Sequence, residues 1–173
     1  PQNILAEIEE CVINYRINNF FIPDDTYTTN RKWVRELNQG YQALGIKCAL
    51  QTRVDLVDKK LLTEMANAGC VYIHYGAESG SQRILDYYQK DLKVDQIKRA
   101  FDWTREAGIE SCATFIIGCP IETKKTAEKT IKLAKAIKAD YYHFSPLIPS
   151  PLTDFYFEFK KQNLLKHEDF SLY

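Results

Sequence analysis

The sequence predicts an α/β protein, a partial and open (β/α) barrel of parallel strands, and three observations lead there. Amphipathic helical segments alternate with short β-branched and aromatic runs along the whole chain, the mark of parallel strands joined by right-handed crossovers. Leu44-Gly45-Ile46, Ala68-Gly69-Cys70 and Ala107-Gly108-Ile109 each place a glycine between a helix end and the next apolar run, where a left-handed C′ residue belongs. No run is followed by the G-x-G-x-x-G of a dinucleotide-binding sheet, which favours a barrel over a doubly wound sheet. A closed eightfold barrel takes about 250 residues. With 173, this one is expected to stay open.

The elements follow in order. Residues 3–15 place Ile4, Ile8, Cys11, Val12 and Tyr15 on one side of a helix, and residues 17–23 read as a short buried strand ending in Pro23. A helix from Asn30 turns Trp33, Val34, Leu37, Tyr41 and Leu44 inward, and KCALQT, 47–52, makes the second strand. Asp58 caps the next helix, with Leu61, Leu62, Met65 and Ala66 inward. The strand VYIHYG, 71–76, follows. A helix over 95–107 buries Ile97, Ala100, Phe101 and Thr104 and leads to the strand 111–118. A lysine-rich helix, 123–138, with Ala127, Ile131, Ala134 and Ile137 inward, leads to YYHFSP, 141–146, and a tail follows from about 155. One domain over 1–173 is the expected organisation.

Charge and composition narrow the function classes. Lys+Arg and Asp+Glu are both 23 and hydrophobic residues make up 45%, so the chain carries a core but no net field to draw nucleic acid or an anionic membrane. Cys11, Cys48, Cys70, Cys112 and Cys119 are odd in number, never spaced C-x-x-C and mostly set in apolar runs. They read as reduced, buried thiols. No segment has the length of a membrane span or the pattern of a signal peptide, so a soluble, cytoplasmic protein is expected.

In parallel α/β folds ligands sit beyond the carboxyl ends of the strands. That rim carries Asp24 and Asp25, then Arg53 and Asp55, then Glu78 with Ser79 and Ser81, then Cys119, Pro120 and Glu122, and finally His143 and Ser145. Plainer roles fit several of them. Asp25 or Thr28–Asn30 can cap a helix, as can Glu122 and Thr123; Arg53 and Asp55 can pair with each other; His143 reads as a hydrogen-bonded core residue. Glu78 is different, because an acid at the top of a core strand is costly without a polar partner. Gly76, Gly80 and the serines leave room around it for a hydroxylated group such as a sugar diol, and Lys90 can return a positive charge to the same mouth.

"FFIPDDTYT", "GAESGSQRIL" with Lys90, "AGI....FIIGCPIET" and "PLIPSPLT" resemble, in order and spacing, successive motifs of the radical S-adenosylmethionine (radical SAM) superfamily. The likeness is to the branch that includes methylthiotransferases, methyltransferases and ring cyclases, often with an upstream cobalamin-binding domain, and it covers residues 4 to about 155. It implies a six-stranded partial barrel, about five strands of which this chain holds, with S-adenosylmethionine across the strand tops. Asp24 and Asp25 match the positions that meet the methionyl amino group, mainly through backbone carbonyls. Glu78 matches the residue that bonds the ribose hydroxyls, and Lys90 the basic residue that pairs with the methionyl carboxylate. Ile117, Gly118, Pro120 and Leu147 match the lining of the adenine pocket, and Arg53 a position facing the substrate.

The resemblance implies a 4Fe-4S cluster held by a C-x-x-x-C-x-x-C loop, an electron donor such as ferredoxin or flavodoxin, and a 5′-deoxyadenosyl radical used for oxidoreductase, methyl- or methylthio-transfer chemistry. The cysteine triplet is absent from these residues, so the chain is expected to be the larger, carboxyl-side part of the catalytic core, inactive alone, with a first strand open to self-association. The motif Pro-Leu-Thr at 151–153 also departs from the family's Pro-Gly-Thr. Two other readings fit the residues: a non-catalytic half-barrel binding module, and a metal-independent lyase or isomerase using Glu78 and Lys90 as acid and base.

Overall fold

A computed structural model describes residues 1–165 of the 173. Its centre is one sheet of five parallel strands in the order β1-β2-β3-β4-β5: Asn19–Ile22, Lys47–Thr52, Cys70–Glu78, Glu110–Ile117 and Tyr141–Pro146. A strictly sequential order has a direct consequence. Crossovers of one hand, repeated without reversal, lay every connecting helix on the same side of the sheet, and the sheet curls as a barrel wall does.

The helices are α1 (Gln2–Tyr15), α2 (Arg31–Leu44), α3 (Lys59–Asn67), α4 (Gln82–Tyr87), α5 (Val94–Glu106), α6 (Lys124–Ile137) and α7 (Asp154–Lys161). The inner faces of α1–α6 meet Leu50, Ile73, Tyr75, Ala77 and Phe115 of the sheet, all essentially inaccessible, in the main core, while Phe155 of α7 packs with Ile84, Tyr88 and Cys119 in a smaller cluster. Tyr75 adds an edge-on contact with Phe101 and a 2.9 Å hydrogen bond to Thr104, so its phenol is satisfied where burial demands a partner. The other face of the sheet is polar and half-open, carrying Gln51, His74 and Thr114.

The starts and stops agree with their chemistry. Asn30 accepts from the amides of Lys32 and Trp33, and Asp58 accepts from Leu61 at 2.8 Å. The three joint glycines all have positive φ, and at Gly69 space matters as well, since an added Cβ would stand 2.1 Å from the Ile46 carbonyl oxygen.

Several expectations are corrected. β3 runs on past Gly76 to Glu78, so the acid belongs to the strand rather than to the loop behind it. Trp33 is 52% and Ile131 50% exposed; Val34, Leu37, Asn38 and Tyr41 make the buried side of α2, while Thr126, Thr130, Leu133, Ala134 and Ile137 make that of α6. Apolar spacing located both helices and most of the buried stripe, missing at Trp33 on α2 and at Ile131 on α6, where Thr126 and Thr130, hydrogen-bonded locally, take the buried places. His143 is exposed on β5 rather than in the core. The segment taken as tail from about 155 includes most of α7, and α4 was not anticipated; the end of that tail lies outside the described residues. Among the described residues the five cysteines are free thiols, four of them buried, and no helix is long and apolar enough to cross a membrane.

Candidate functional site

At the carboxyl ends of β1–β4 lies an open cleft of about 330 Å³, lined by Asp25, Thr26, Gln51, Thr52, Arg53, His74, Gly76, Glu78, Lys90, Leu92 and Thr114. Its centre is an ion pair, with Lys90 Nζ 2.9 Å from Glu78 Oε1. The Glu78 side chain is only 10% exposed, that of Lys90 39%. Two charges paired with each other need no ligand in order to stay buried, and the more exposed lysine is free to re-aim when one arrives.

Glu78 is held there at a conformational cost. Its φ is +60°, a left-handed setting unusual for a side chain with a Cβ, and it stands at a shift in the β3–β4 register between Gly76 and Glu78. The bulge turns the carboxylate toward the cleft rather than into the helix layer. Gly76 makes this possible, since a Cβ on it would lie 2.6 Å from Glu78 Oε1.

Gly80 and the serines do something else, contrary to the expectation that they leave open space. A Cβ on Gly80 would meet the Lys129 carbonyl oxygen at 2.2 Å. The Gly80 amide donates to Thr130 Oγ1 at 3.1 Å, Ser79 Oγ lies 3.0 Å from the same hydroxyl, and the Ser81 amide donates back to Ser79 Oγ at 3.1 Å. The loop after β3 is therefore docked backbone to backbone on α6, which fixes the direction from which Glu78 enters the site.

Lys90 is anchored from the other side. Arg53 grips Asp55 through two bonds of 2.9 and 3.0 Å and donates from Nη2 to the Lys90 carbonyl at 2.8 Å, and the acid beside it raises the pKa of the guanidinium further. Gln82 donates to the Leu92 carbonyl at 2.8 Å. Two left-handed residues, Gln89 and Asp91, flank Lys90, so the segment is tightly turned and pinned. Arg53 lines the cleft, yet its guanidinium is spent on this anchoring.

Of the expected site residues, the cleft gathers Asp25, Arg53, Glu78 and Lys90. Asp25 accepts from Gln51 Nε2 at 3.4 Å, whereas Asp24 turns back to accept from the Thr26 amide at 2.9 Å. Ile117, Gly118, Pro120 and Leu147 lie along the β4–β5 rim beyond it. There Leu147 donates its amide to the Ile117 carbonyl at 2.7 Å and packs with Ile84, Tyr88 and Cys119. Gly118 has φ +87° and donates to Glu122 Oε2 at 2.7 Å, so Glu122 holds this turn while Thr123 caps α6.

His74 and Thr114 were missed. His74 Nε2 is hydrogen-bonded to Thr114 Oγ1, and burial, then His143, depress its pKa while Glu78 opposes the shift. The signal available was the strict alternation of β3, which puts His74 on the same face as Gly76. Among the described residues no three His, Cys, Asp or Glu side chains converge as metal ligands. The donor set thus suits a zwitterionic, hydroxylated ligand and does not fit an iron–sulfur cluster.

Comparison with known proteins identifies the family and the fold. A family model described as the radical SAM superfamily matches residues 1–134. The anaerobic magnesium-protoporphyrin IX monomethyl ester cyclase of Cereibacter sphaeroides is 34% identical over 168 residues, covering 94% of this chain and 28% of its own. An uncharacterized methyltransferase of Pyrococcus horikoshii is 30% identical over 88% of this chain and 34% of its own. Among solved structures, the radical S-adenosylmethionine methyltransferase TsrM from Kitasatospora setae, with cobalamin and a [4Fe-4S] cluster bound, superposes on 93% of this chain and 31% of its own with a TM-score of 0.82 at 17% identity. The fold is the same. The chain spans about a third of the length of the curated relatives it matches.

Proposed function

The chain belongs to the radical SAM superfamily, and from that premise we propose that it is the nucleoside-binding side of a radical SAM catalytic core, the larger and carboxyl-side part. The observation that carries this is the Glu78–Lys90 pair, 2.9 Å apart at the mouth of the cleft with Gly76 clearing the space behind it. On binding S-adenosylmethionine, Glu78 accepts from the ribose hydroxyls, and Lys90 leaves it to meet the methionyl carboxylate. Lys90 exchanges one carboxylate for another, and Glu78 exchanges its ion pair for charge-assisted hydrogen bonds from the hydroxyls. Asp24 and Asp25 serve the methionyl amino group through backbone carbonyls, and Ile117, Gly118, Pro120 and Leu147 border the adenine.

S-adenosylmethionine supplies a sulfonium bond that one electron can break. The residues present orient that bond. No described group of side chains fits a 4Fe-4S cluster; on this reading its ligands lie outside the described residues, and the chain alone is expected to be inactive. For the whole protein we propose oxidoreductase, methyl- or methylthio-transfer chemistry in the cytoplasm, a ferredoxin or flavodoxin as electron donor, and cobalamin as a further cofactor through an additional domain. Self-association through the open edge of β1 is proposed as well, where Phe21 is 58% exposed; sedimentation velocity over a concentration series, showing only monomer, would rule it out.

Equilibrium dialysis of the chain against S-adenosylmethionine tests the site, and absence of binding overturns it. Two variants refine the test. Gly76→Ala collides only with the movable end of Glu78, so affinity is expected to fall about tenfold, the equivalent of one hydrogen bond to a charged group, with the melting temperature nearly unchanged. Arg53→Ala is expected to weaken binding by releasing Lys90, and to weaken it no further when Lys90→Ala is already present. Additive losses in that double-mutant cycle would instead make Arg53 a direct ligand contact.

A further inference from the structure

The open face of the sheet carries polar groups, two of them in the lining of the cleft, to which the nucleoside reading gives no role. Thr114 of β4 pairs in register with His143 of β5 and with Gly76 of β3, and register partners of parallel strands project to the same side. His74, Thr114 and His143 therefore form a row across three strands, lying along the floor that the cleft opens onto. His74 and Thr114 are hydrogen-bonded to each other, and His143 makes only a long 3.4 Å contact to Ser145 Oγ. The row contains two imidazoles and no acid.

The groups facing His74 are Glu78 from its own strand, His143 from β5, and Lys90, Arg53 and Asp25 around the mouth of the cleft. Glu78 is paired with Lys90 and Asp55 with Arg53; Asp25 accepts from Gln51 Nε2 at 3.4 Å at the mouth of the cleft, and the row itself holds no acid. We propose that His74, Thr114 and His143 form a recognition site for an oxyanion, a carboxylate or phosphate group on the reaction's substrate. This rests on the reading of the cleft above as the nucleoside site, because it takes the floor beside that site as the place where substrate lies.

The linkage runs as follows. In the free protein a proton on His74 is disfavoured by burial and by His143. An oxyanion between the two rings joins Glu78 in opposing both effects, so binding takes up protons and tightens as pH falls through the histidine range. Specificity would come from the Thr114 hydroxyl and the imidazole N–H groups, which offer directional hydrogen bonds that mere charge attraction lacks.

Proton NMR of the 173-residue chain tests this by following the imidazole signals of His74 and His143, assigned with His74→Asn and His143→Asn. Titrations are run in sodium propionate, in sodium phosphate and in sodium chloride at matched ionic strength. Propionate or phosphate is expected to raise both midpoints by about one unit, a tenfold gain in proton affinity, with chloride as the baseline; the more effective anion identifies the acid group. Midpoints that stay at the chloride values in both anions overturn the proposal, as does a shift confined to the exposed His143. Failure of the nucleoside reading is recognised separately, by loss of S-adenosylmethionine binding in the dialysis experiment, which neither histidine result affects.

Discussion

Glu78→Ala is expected to lower the affinity of the chain for S-adenosylmethionine by about 10- to 100-fold, the cost of removing the charged acceptor of hydroxyl hydrogen bonds, about 1.5–3 kcal/mol. The same change strands Lys90, whose pairing at 2.9 Å holds it at the mouth of the cleft. Calorimetric titration of both proteins is the measurement, and equal affinity would remove Glu78 from the site. A companion variant separates function from folding. At φ +60°, the side chain at 78 costs the backbone about 1–2 kcal/mol, so Glu78→Gly should melt no lower than the parent while binding as poorly as Glu78→Ala. A residue whose removal abolishes binding and relieves strain is kept for its chemistry rather than for the fold.

The largest effect on stability is expected at Gly80. A methyl group there would lie 2.2 Å from the Lys129 oxygen, 2.6 Å from its carbon and 2.7 Å from Thr130 Cα, all backbone atoms that cannot rotate aside. Gly80→Ala must push the loop after β3 away from α6, weakening the hydrogen bonds of Ser79 and Gly80 to Thr130. Overpacking of about 1–3 kcal/mol and about 1 kcal/mol for each bond lost point to a cost of about 3 kcal/mol, or a melting temperature lower by about 10 °C for a chain of this size. Gly45→Ala is the control. Nothing lies within 4 Å of its added Cβ, so only the positive φ is penalised, at about 1 kcal/mol. Thermal denaturation followed by circular dichroism measures both, and equal destabilisation would mean that the contact with α6 is not what Gly80 provides.

Local periodicity and glycine placement made the alternation of helix and strand legible, and motif order made the family legible. The rim position of Glu78 followed from its place after an apolar strand, and that of Lys90 from the segment inserted after it, but their direct pairing at 2.9 Å was not anticipated. What failed has a common cause. Trp33 and Ile131 were judged by spacing along a single helix, but burial depends on what lies across from each side chain. Beside Ile131, Tyr142 and Phe144 of β5 are themselves left open. His143 was placed in the core because it is surrounded by aromatics in the chain, although strand alternation sets it on the open face.

By itself the sequence determined the element order, the strand ends at which polar residues collect, and the superfamily, because capping, strand period and motif spacing are local properties of consecutive residues. Only the tertiary structure decided that Gly76 serves Glu78 while Gly80 serves α6, that Arg53 works on the Lys90 backbone, and that two histidines share one floor. Apart from Gly76 and Glu78, which are near neighbours, those assignments depend on distances between residues 37 to 69 apart in the chain, and such distances exist only after the strands have chosen their register.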